Sequence, residues 1–216
     1  MAVDFKLYLI TDRQATKRPL PEAIRLALQG GVKAIQLREK DLPVRELIAL
    51  AQELRTLTRD FGAQLFINDR VDIAVAVDAD GVHLGHQSMP VEAVRKIVGS
   101  RMLIGVSTHN SEEAMAAEKG SADFITFGPV FATPSKIKLG SPVGCKAIND
   151  AKNRILIPIY GLGGINSGNL MSVLDAGAYG IGLISAILRS ADIQKASAGL
   201  VRQLECDPQR NSRGVK

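Results

Sequence analysis

Along this chain, apolar runs of strand length alternate with segments whose apolar residues repeat at helical spacing. The runs expected to form strands are Leu7–Thr11, Ala34–Leu37, Gln64–Ile67, Gly81–Leu84, Leu103–Val106, Phe124–Phe127, Ile157–Leu162 and Gly180–Ile184. Between them, Pro43–Asp60 sets Leu47, Leu50, Ala51 and Leu54 on one helical face. Ser111–Lys119 opens with a serine cap followed by Glu112 and Glu113, a favourable helix start. Glycines at Gly30-Gly31, Gly62, Gly120 and Gly177 end helices just before strands, where a left-handed residue is often needed.

Eight such units in sequence predict a single (β/α)8 TIM barrel. A doubly wound dinucleotide fold would carry Gly-x-Gly-x-x-Gly after the first strand; Thr11-Asp12-Arg13 stands there instead. The barrel is expected over residues 1–206, and the polar, aperiodic stretch 207–216 is expected to be a disordered tail. A weak internal echo links Gly31-Val32-Lys33-Ala34, Asp80-Gly81-Val82-His83, Ser121-Ala122-Asp123-Phe124 and Gly177-Ala178-Tyr179-Gly180. Plain recurrence of the same turn chemistry explains it equally well.

Composition adjusts this picture in a few places. Aromatics are 4% of the 216 residues and tryptophan is absent, so the core is expected to be Val, Ile, Leu and Ala, as suits buried parallel strands. A net charge of +5 without a long basic run argues against nucleic acid and helps steer phosphorylated small molecules. No apolar stretch approaches the roughly 18 residues of a membrane span. Cys145 and Cys206 match no metal or redox spacing, and with no leader-like segment the cytoplasm is the expected compartment. A homo-oligomer stays open.

In this fold the chemistry sits at the C-terminal strand ends. After the second strand, alternation points Gln36, Arg38 and Lys40 to one space, an amide and two cations suited to a diphosphate. A surface salt-bridge cluster with Glu39 is the alternative. After the third, Asp69 in Asn68-Asp69-Arg70 could hold magnesium on substrate phosphates, or cap the helix near Val71. His83 and His86 follow the fourth strand; His83 reads as a packed, hydrogen-bonded histidine and His86 as a ligand-facing candidate. Ser107-Thr108-His109-Asn110 follow the fifth, with Asn110 or Ser111 as helix cap.

The longest loop runs from Phe127 to Gly144 and contains Thr133-Pro134-Ser135-Lys136, two hydroxyls and a cation able to grip phosphate on a mobile lid. The last two strands end in Gly161-Leu162-Gly163-Gly164-Ile165-Asn166 and Gly182-Leu183-Ile184-Ser185-Ala186-Ile187. Glycines let a phosphate approach backbone N–H groups, and a short helix after the eighth strand adds its dipole. Tight turns alone are the competing reason for these glycines.

Together these segments resemble the thiamine phosphate synthase family, which includes the TenI-type thiazole tautomerases. The likeness is carried in order by Tyr8-Leu9-Ile10-Thr11-Asp12, Gln36-Leu37-Arg38-Glu39-Lys40, Ile67-Asn68-Asp69-Arg70, Gly81-Val82-His83-Leu84-Gly85, Gly105-Val106-Ser107-Thr108-His109, Phe127-Gly128-Pro129-Val130-Phe131, Gly163-Gly164-Ile165 and Ile184-Ser185-Ala186-Ile187. The resemblance implies a transferase coupling hydroxymethylpyrimidine diphosphate with thiazole phosphate to give thiamine phosphate. It implies that Gln36, Arg38, Lys40, Asn68, Ser107 and Lys136 contact the pyrimidine diphosphate, with Arg38, Lys40, Ser107 and Lys136 as catalytic residues. Asp69 would bind Mg2+, and Thr133, Ser135, Gly164, Ile184 and Ser185 would hold the thiazole phosphate.

Two departures matter. The synthase pattern Gly-Gln-x-Asp appears here as Gly85-His86-Gln87-Ser88, so the second magnesium carboxylate is replaced by a neutral hydroxyl and weaker metal affinity is expected. Thr-x-Thr-Lys appears as Thr133-Pro134-Ser135-Lys136 and keeps its hydroxyl. The tautomerase branch would need a histidine where Pro129 stands. A non-catalytic phosphate-binding regulator is the third reading, supported by Ser88 alone.

Overall fold

The architecture follows from alternation along eight short strands. The structure is a computed structural model that describes residues 3–133 and 141–206. The strands are β1 (Leu7–Ile10), β2 (Ala34–Leu37), β3 (Gln64–Asn68), β4 (Gly81–Leu84), β5 (Leu103–Thr108), β6 (Phe124–Phe127), β7 (Ile159–Leu162) and β8 (Gly180–Leu183). All pair in parallel, and β8 returns to β1 to close the barrel. The single TIM barrel is therefore the observed fold. Every expected strand is present, with ends shifted by at most two residues.

Helices α1 (Leu20–Gln29), α2 (Val44–Asp60), α3 (Val71–Ala76), α4 (Val91–Val98), α5 (Ser111–Lys119), α6 (Gly144–Lys152) and α7 (Leu170–Asp175) join the strands, and α8 (Ser185–Leu188) and α9 (Ile193–Glu205) follow β8. Pro19, Pro43 and Pro90 stand directly before α1, α2 and α4, where a missing N–H forfeits nothing. Of the two caps expected for α5, Asn110 and Ser111, it is Asn110 whose side chain accepts the N–H of Glu113. Glu113 reaches back to the N–H of His109 at 2.8 Å, which makes the cap reciprocal. Gly31, Gly62 and Gly177 take positive φ after their helices, but after α5 that role falls to Ser121 rather than Gly120. Gly120 lacks room for a side chain, because a β-carbon there would lie 2.9 Å from Val91.

Two of the echoed segments share a further device. Asp80 pairs with Arg55 at 2.6 Å and accepts the N–H of Leu65 at 2.7 Å. Asp123 does the same with Arg95 and the N–H of Ile104. Each aspartate thus locks the entry of an even-numbered strand to the start of the preceding one.

Alternation divides the core into two layers. Residues such as Leu9, Ile35, Ile67, Val82, Ile104 and Ile181 face outward and pack with the helices. The inner layer is Phe5, Tyr8, Ile10, Ala34, Phe66, Leu103, Phe124 and Tyr160. The Val, Ile, Leu and Ala core expected from composition is therefore approached only in the outer layer, where Phe127 is the one fully buried aromatic. The few aromatics are concentrated inside the barrel, where Phe5, Tyr8, Phe66, Phe124 and Tyr160 stack or meet edge to face with centroids 5.1–6.2 Å apart. Small residues make room for them: a β-carbon on Gly81 would lie 2.5 Å from the Phe66 ring. No helix of the described residues is long and apolar enough to cross a membrane. Residues 207–216 lie outside the described residues.

Candidate functional site

Above the aromatic layer, the inward positions at the C-terminal strand ends turn polar. At the end of β2, Gln36 is 1% exposed and its Nε2 has no hydrogen-bond partner among the described residues. Two positions on, Arg38 is half-buried, and its backbone N–H donates to the Thr11 hydroxyl at 2.9 Å. Glu39 points the other way and is buried; it accepts the Arg13 N–H at 3.1 Å and Arg13 Nη1 at 3.3 Å. The alternative of a salt-bridge cluster with Glu39 therefore falls. Among the described residues neither Arg38 nor Lys40 makes an ion pair, and Glu39 belongs to a separate network of Arg13 and Asp41.

Lys40, Asn68 and Asp69 border a cavity of about 230 Å3 together with Leu37, Glu39 and Arg70. Asp69 holds φ at +65°, a left-handed value that aspartate tolerates better than most side chains. Its N–H donates to the His83 carbonyl at 2.8 Å. The helix-cap reading of Asp69 fails, because α3 starts after Arg70 with no side-chain cap. Arg70 is occupied by Asp72 at 2.5 Å, which leaves the exposed Asp69 carboxylate without an ion pair among the described residues.

His83, on β4, lies where the aromatic layer meets the polar rim and is 2% exposed. Its Nε2 is 3.0 Å from Ser107 Oγ and 3.4 Å from Thr126 Oγ1, and its Nδ1 is 3.4 Å from Tyr8 Oη. Burial, with the positive charge of Arg38 added, pushes its pKa down from 6.5 to about 3, so the ring is neutral at pH 7. The packed, hydrogen-bonded reading holds. His86 is exposed. Ser88 Oγ accepts the N–H of Gly85 at 2.7 Å, which ties the neutral replacement into its own turn. His109 Nδ1 sits 3.0 Å from Glu113, so its ring completes the cap of α5.

On the far side, the loop after β6 continues alongside the end of β7. Val130 N–H donates to the Leu162 carbonyl at 2.9 Å and Phe131 N–H to that of Gly163 at 3.1 Å. Gly163 and Gly164 have φ of +100° and +65°, and a β-carbon on either would lie 2.7 Å from Pro129 or the Ala132 carbonyl. Packing alone thus explains why both are glycine. Ile184 is half-buried and Ser185 is the exposed first residue of α8. Thr133 is half-buried, whereas Ser135 and Lys136 lie outside the described residues. Cys145, in the first turn of α6, packs partly buried against the outer core. Among the described residues no group of three or more His, Cys, Asp or Glu is arranged to hold a metal.

The structure therefore gathers Gln36, Arg38, Asn68 and Ser107 on inward positions of neighbouring strands, with Lys40 and Asp69 at the rim. Tyr8, Thr11 and Thr126 join them and were missed. Tyr8 and Thr126 share the inward parity of Gln36, so extending the alternation argument to β1 and β6 would have found both. A wider cleft of about 710 Å3 opens between residues 14–18 and 188–191. No strand-end side chain lines it, and its Arg18 is paired with Glu22.

Known proteins resemble this chain over most of its length. Residues 7–187 match the family described as thiamine monophosphate synthase. A protein of Geobacter sulfurreducens is 52% identical over 203 residues, covering 94% of this chain and 95% of its own length. The thiamine-phosphate synthase of Moorella thermoacetica is 45% identical, with 89% and 91% covered. Among solved structures, thiamine phosphate pyrophosphorylase from Pyrococcus furiosus superposes with a TM-score of 0.86 at 41% identity, covering 93% of this chain and 96% of that one.

Proposed function

This chain belongs to the thiamine monophosphate synthase family, and from that premise we propose that it is a transferase joining hydroxymethylpyrimidine diphosphate to thiazole phosphate. The observation that supports this best is the pair of cations, Arg38 and Lys40, that make no ion pair among the described residues, beside the buried Gln36 Nε2, which has no hydrogen-bond partner among them. A diphosphate leaving group needs such charge where its own charge develops. The C–O bond of the pyrimidine methylene breaks with its electron pair leaving on diphosphate. The thiazole nitrogen then donates its lone pair to the methylene carbon, and thiamine phosphate and diphosphate are the products.

In this reading Arg38 offers a planar fork and Lys40 a point charge to the diphosphate. Asn68 and Ser107 add hydrogen bonds, and Gln36 orients the pyrimidine. Lys136 would add a third cation from the β6–α6 loop. Thr133, Ser135, Gly164, Ile184 and Ser185 would hold the thiazole phosphate. Asp69 suits magnesium: its carboxylate is exposed at the rim beside the cations and uncommitted to a cap. Magnesium takes one or two carboxylates plus substrate phosphates and water, so a single carboxylate with a diphosphate meets its needs. When bound, it would neutralise leaving-group charge. Cytoplasmic placement fits the two free thiols, Cys145 and Cys206. Pro129 packs on Gly163 and has no group to move a proton, which disfavours the tautomerase.

The test is thiamine phosphate formation by the purified protein across a magnesium titration, alongside Ser88→Asp. Magnesium-dependent turnover is expected, with Ser88→Asp lowering the half-saturating metal concentration several-fold. Absence of product at every magnesium concentration would overturn the reading and leave a regulator that binds phosphorylated ligands.

A further inference from the structure

We propose that Tyr8 and His83 form a buried hydrogen-bond relay that fixes the Ser107 hydroxyl as a donor toward bound diphosphate. The proposal rests on the reading of Ser107 as a diphosphate contact. Tyr8 is fully buried among Phe5, Phe66, Phe124 and Tyr160, and among the described residues its hydroxyl has one hydrogen-bond partner, His83 Nδ1. A buried O–H with a single partner donates to it, because an unmade bond costs about 1–3 kcal/mol. Nδ1 is then the acceptor. A neutral imidazole carries its proton on the other nitrogen, so Nε2–H donates to Ser107 Oγ at 3.0 Å.

Thr126 Oγ1 also lies 3.4 Å from Ser107 Oγ, in donating geometry. The serine oxygen therefore receives hydrogen bonds from below, and its own proton is left to point away from them, toward the open rim. The opposite tautomer would put N–H against Tyr8 Oη and strand the phenol proton among aromatic rings. A neutral ring is the one form in which Nδ1 accepts while Nε2 donates. The space for this ring is reserved by Gly105, where a β-carbon would lie 2.5 Å from Nδ1. Tyr8 and His83 are positioning residues: neither reaches the rim, and each acts through Ser107.

Long-range proton–nitrogen spectra of the 15N-labelled protein at pH 7 read the tautomer directly. A single species with the proton on Nε2 is expected, changing to a mixture in Tyr8→Phe, which keeps the packed ring. A proton on Nδ1 in the wild type overturns the relay. Calorimetric titration with inorganic diphosphate and magnesium adds the coupling. Tyr8→Phe should weaken binding about 3- to 10-fold in the wild type and leave Ser107→Ala unchanged; equal losses in both backgrounds overturn the relay. Turnover with the proton on Nδ1 would sink the relay and spare the synthase reading. A proton on Nε2 and normal coupling without thiamine phosphate would do the reverse.

Discussion

The two ends of the barrel interior are made by the same strands and the same alternation, yet they handle polar groups in opposite ways. Toward the N-terminal end, Tyr160 Oη donates to the Phe5 carbonyl at 2.6 Å and Tyr179 Oη to that of Val3 at 3.1 Å. Each polar tip is satisfied by backbone, and the rings fill the space between. Toward the C-terminal end, Gln36 Nε2 is buried without a partner, and Arg38, Lys40 and Asp69 lack ion pairs among the described residues. Native interiors rarely leave a buried amide such as that of Gln36 unpaired. Within the barrel the tyrosine tips at the N-terminal end are satisfied by backbone, whereas the Gln36 amide nitrogen at the C-terminal end is left open where a ligand would complete it, the division expected of this fold.

The largest effect should come from removing the plug. Phe66 is fully buried, with Phe5, Tyr8 and Phe124 at its edges. Phe66→Ala is expected to lower unfolding free energy by about 3–5 kcal/mol, read by urea titration, a large part of the roughly 5–15 kcal/mol of a typical domain. A loss under about 1 kcal/mol would show that the aromatic layer is not the stabilising end.

Arg38→Ala tests the other end. Loss of a cation that acts on developing charge should cut turnover about 100- to 1000-fold, while stability stays within about 0.5 kcal/mol because no internal partner is orphaned. Steady-state kinetics beside the same urea titration check both halves. Unchanged turnover, or a destabilisation like that of Phe66→Ala, would erase the contrast between the ends.

That contrast was half legible in the sequence. Short apolar runs located all eight strands, and alternation placed Gln36 and Arg38 on one side, because a strand leaves its residues little choice of face. The aromatic layer was not legible: 4% aromatic looks negligible until the folding brings Phe5, Tyr8, Phe66, Phe124 and Tyr160 together from four separate segments. The partner of Glu39 was hidden for the same reason, since Arg13 is 26 residues away in sequence. Asp69 was ambiguous because a strand-end aspartate before a helix serves equally as cap or ligand; the uncapped start of α3 after Arg70 removes the cap. Gly163 and Gly164 looked like a phosphate loop, yet the approach of Pro129 and Ala132 already requires them.

His83 stands at the boundary between the two ends, and its titration gives the smallest and sharpest test. Its pKa is near 3 in the folded protein and 6.5 unfolded. Between these values the unfolded chain binds a proton that the folded chain does not, so stability rises with pH across the window. It is complete above about pH 6.5 and is lost as pH falls toward 3, with a limiting slope of about 1.4 kcal/mol per pH unit. Asp41 and Asp72, held below the ordinary carboxylate value of 3.8 by hydrogen bonds from Arg13 and Arg70, lose their stabilisation only below that value. The interval from about pH 4.5 to 6 therefore reports mainly on His83 among the groups whose pKa is displaced. Urea titrations across it should show the slope in the wild type and a flatter line in His83→Asn, which keeps a neutral hydrogen-bonding group. Parallel lines would mean the imidazole takes up its proton without resistance, and the boundary between the dry and the open end would lie deeper in the barrel than His83.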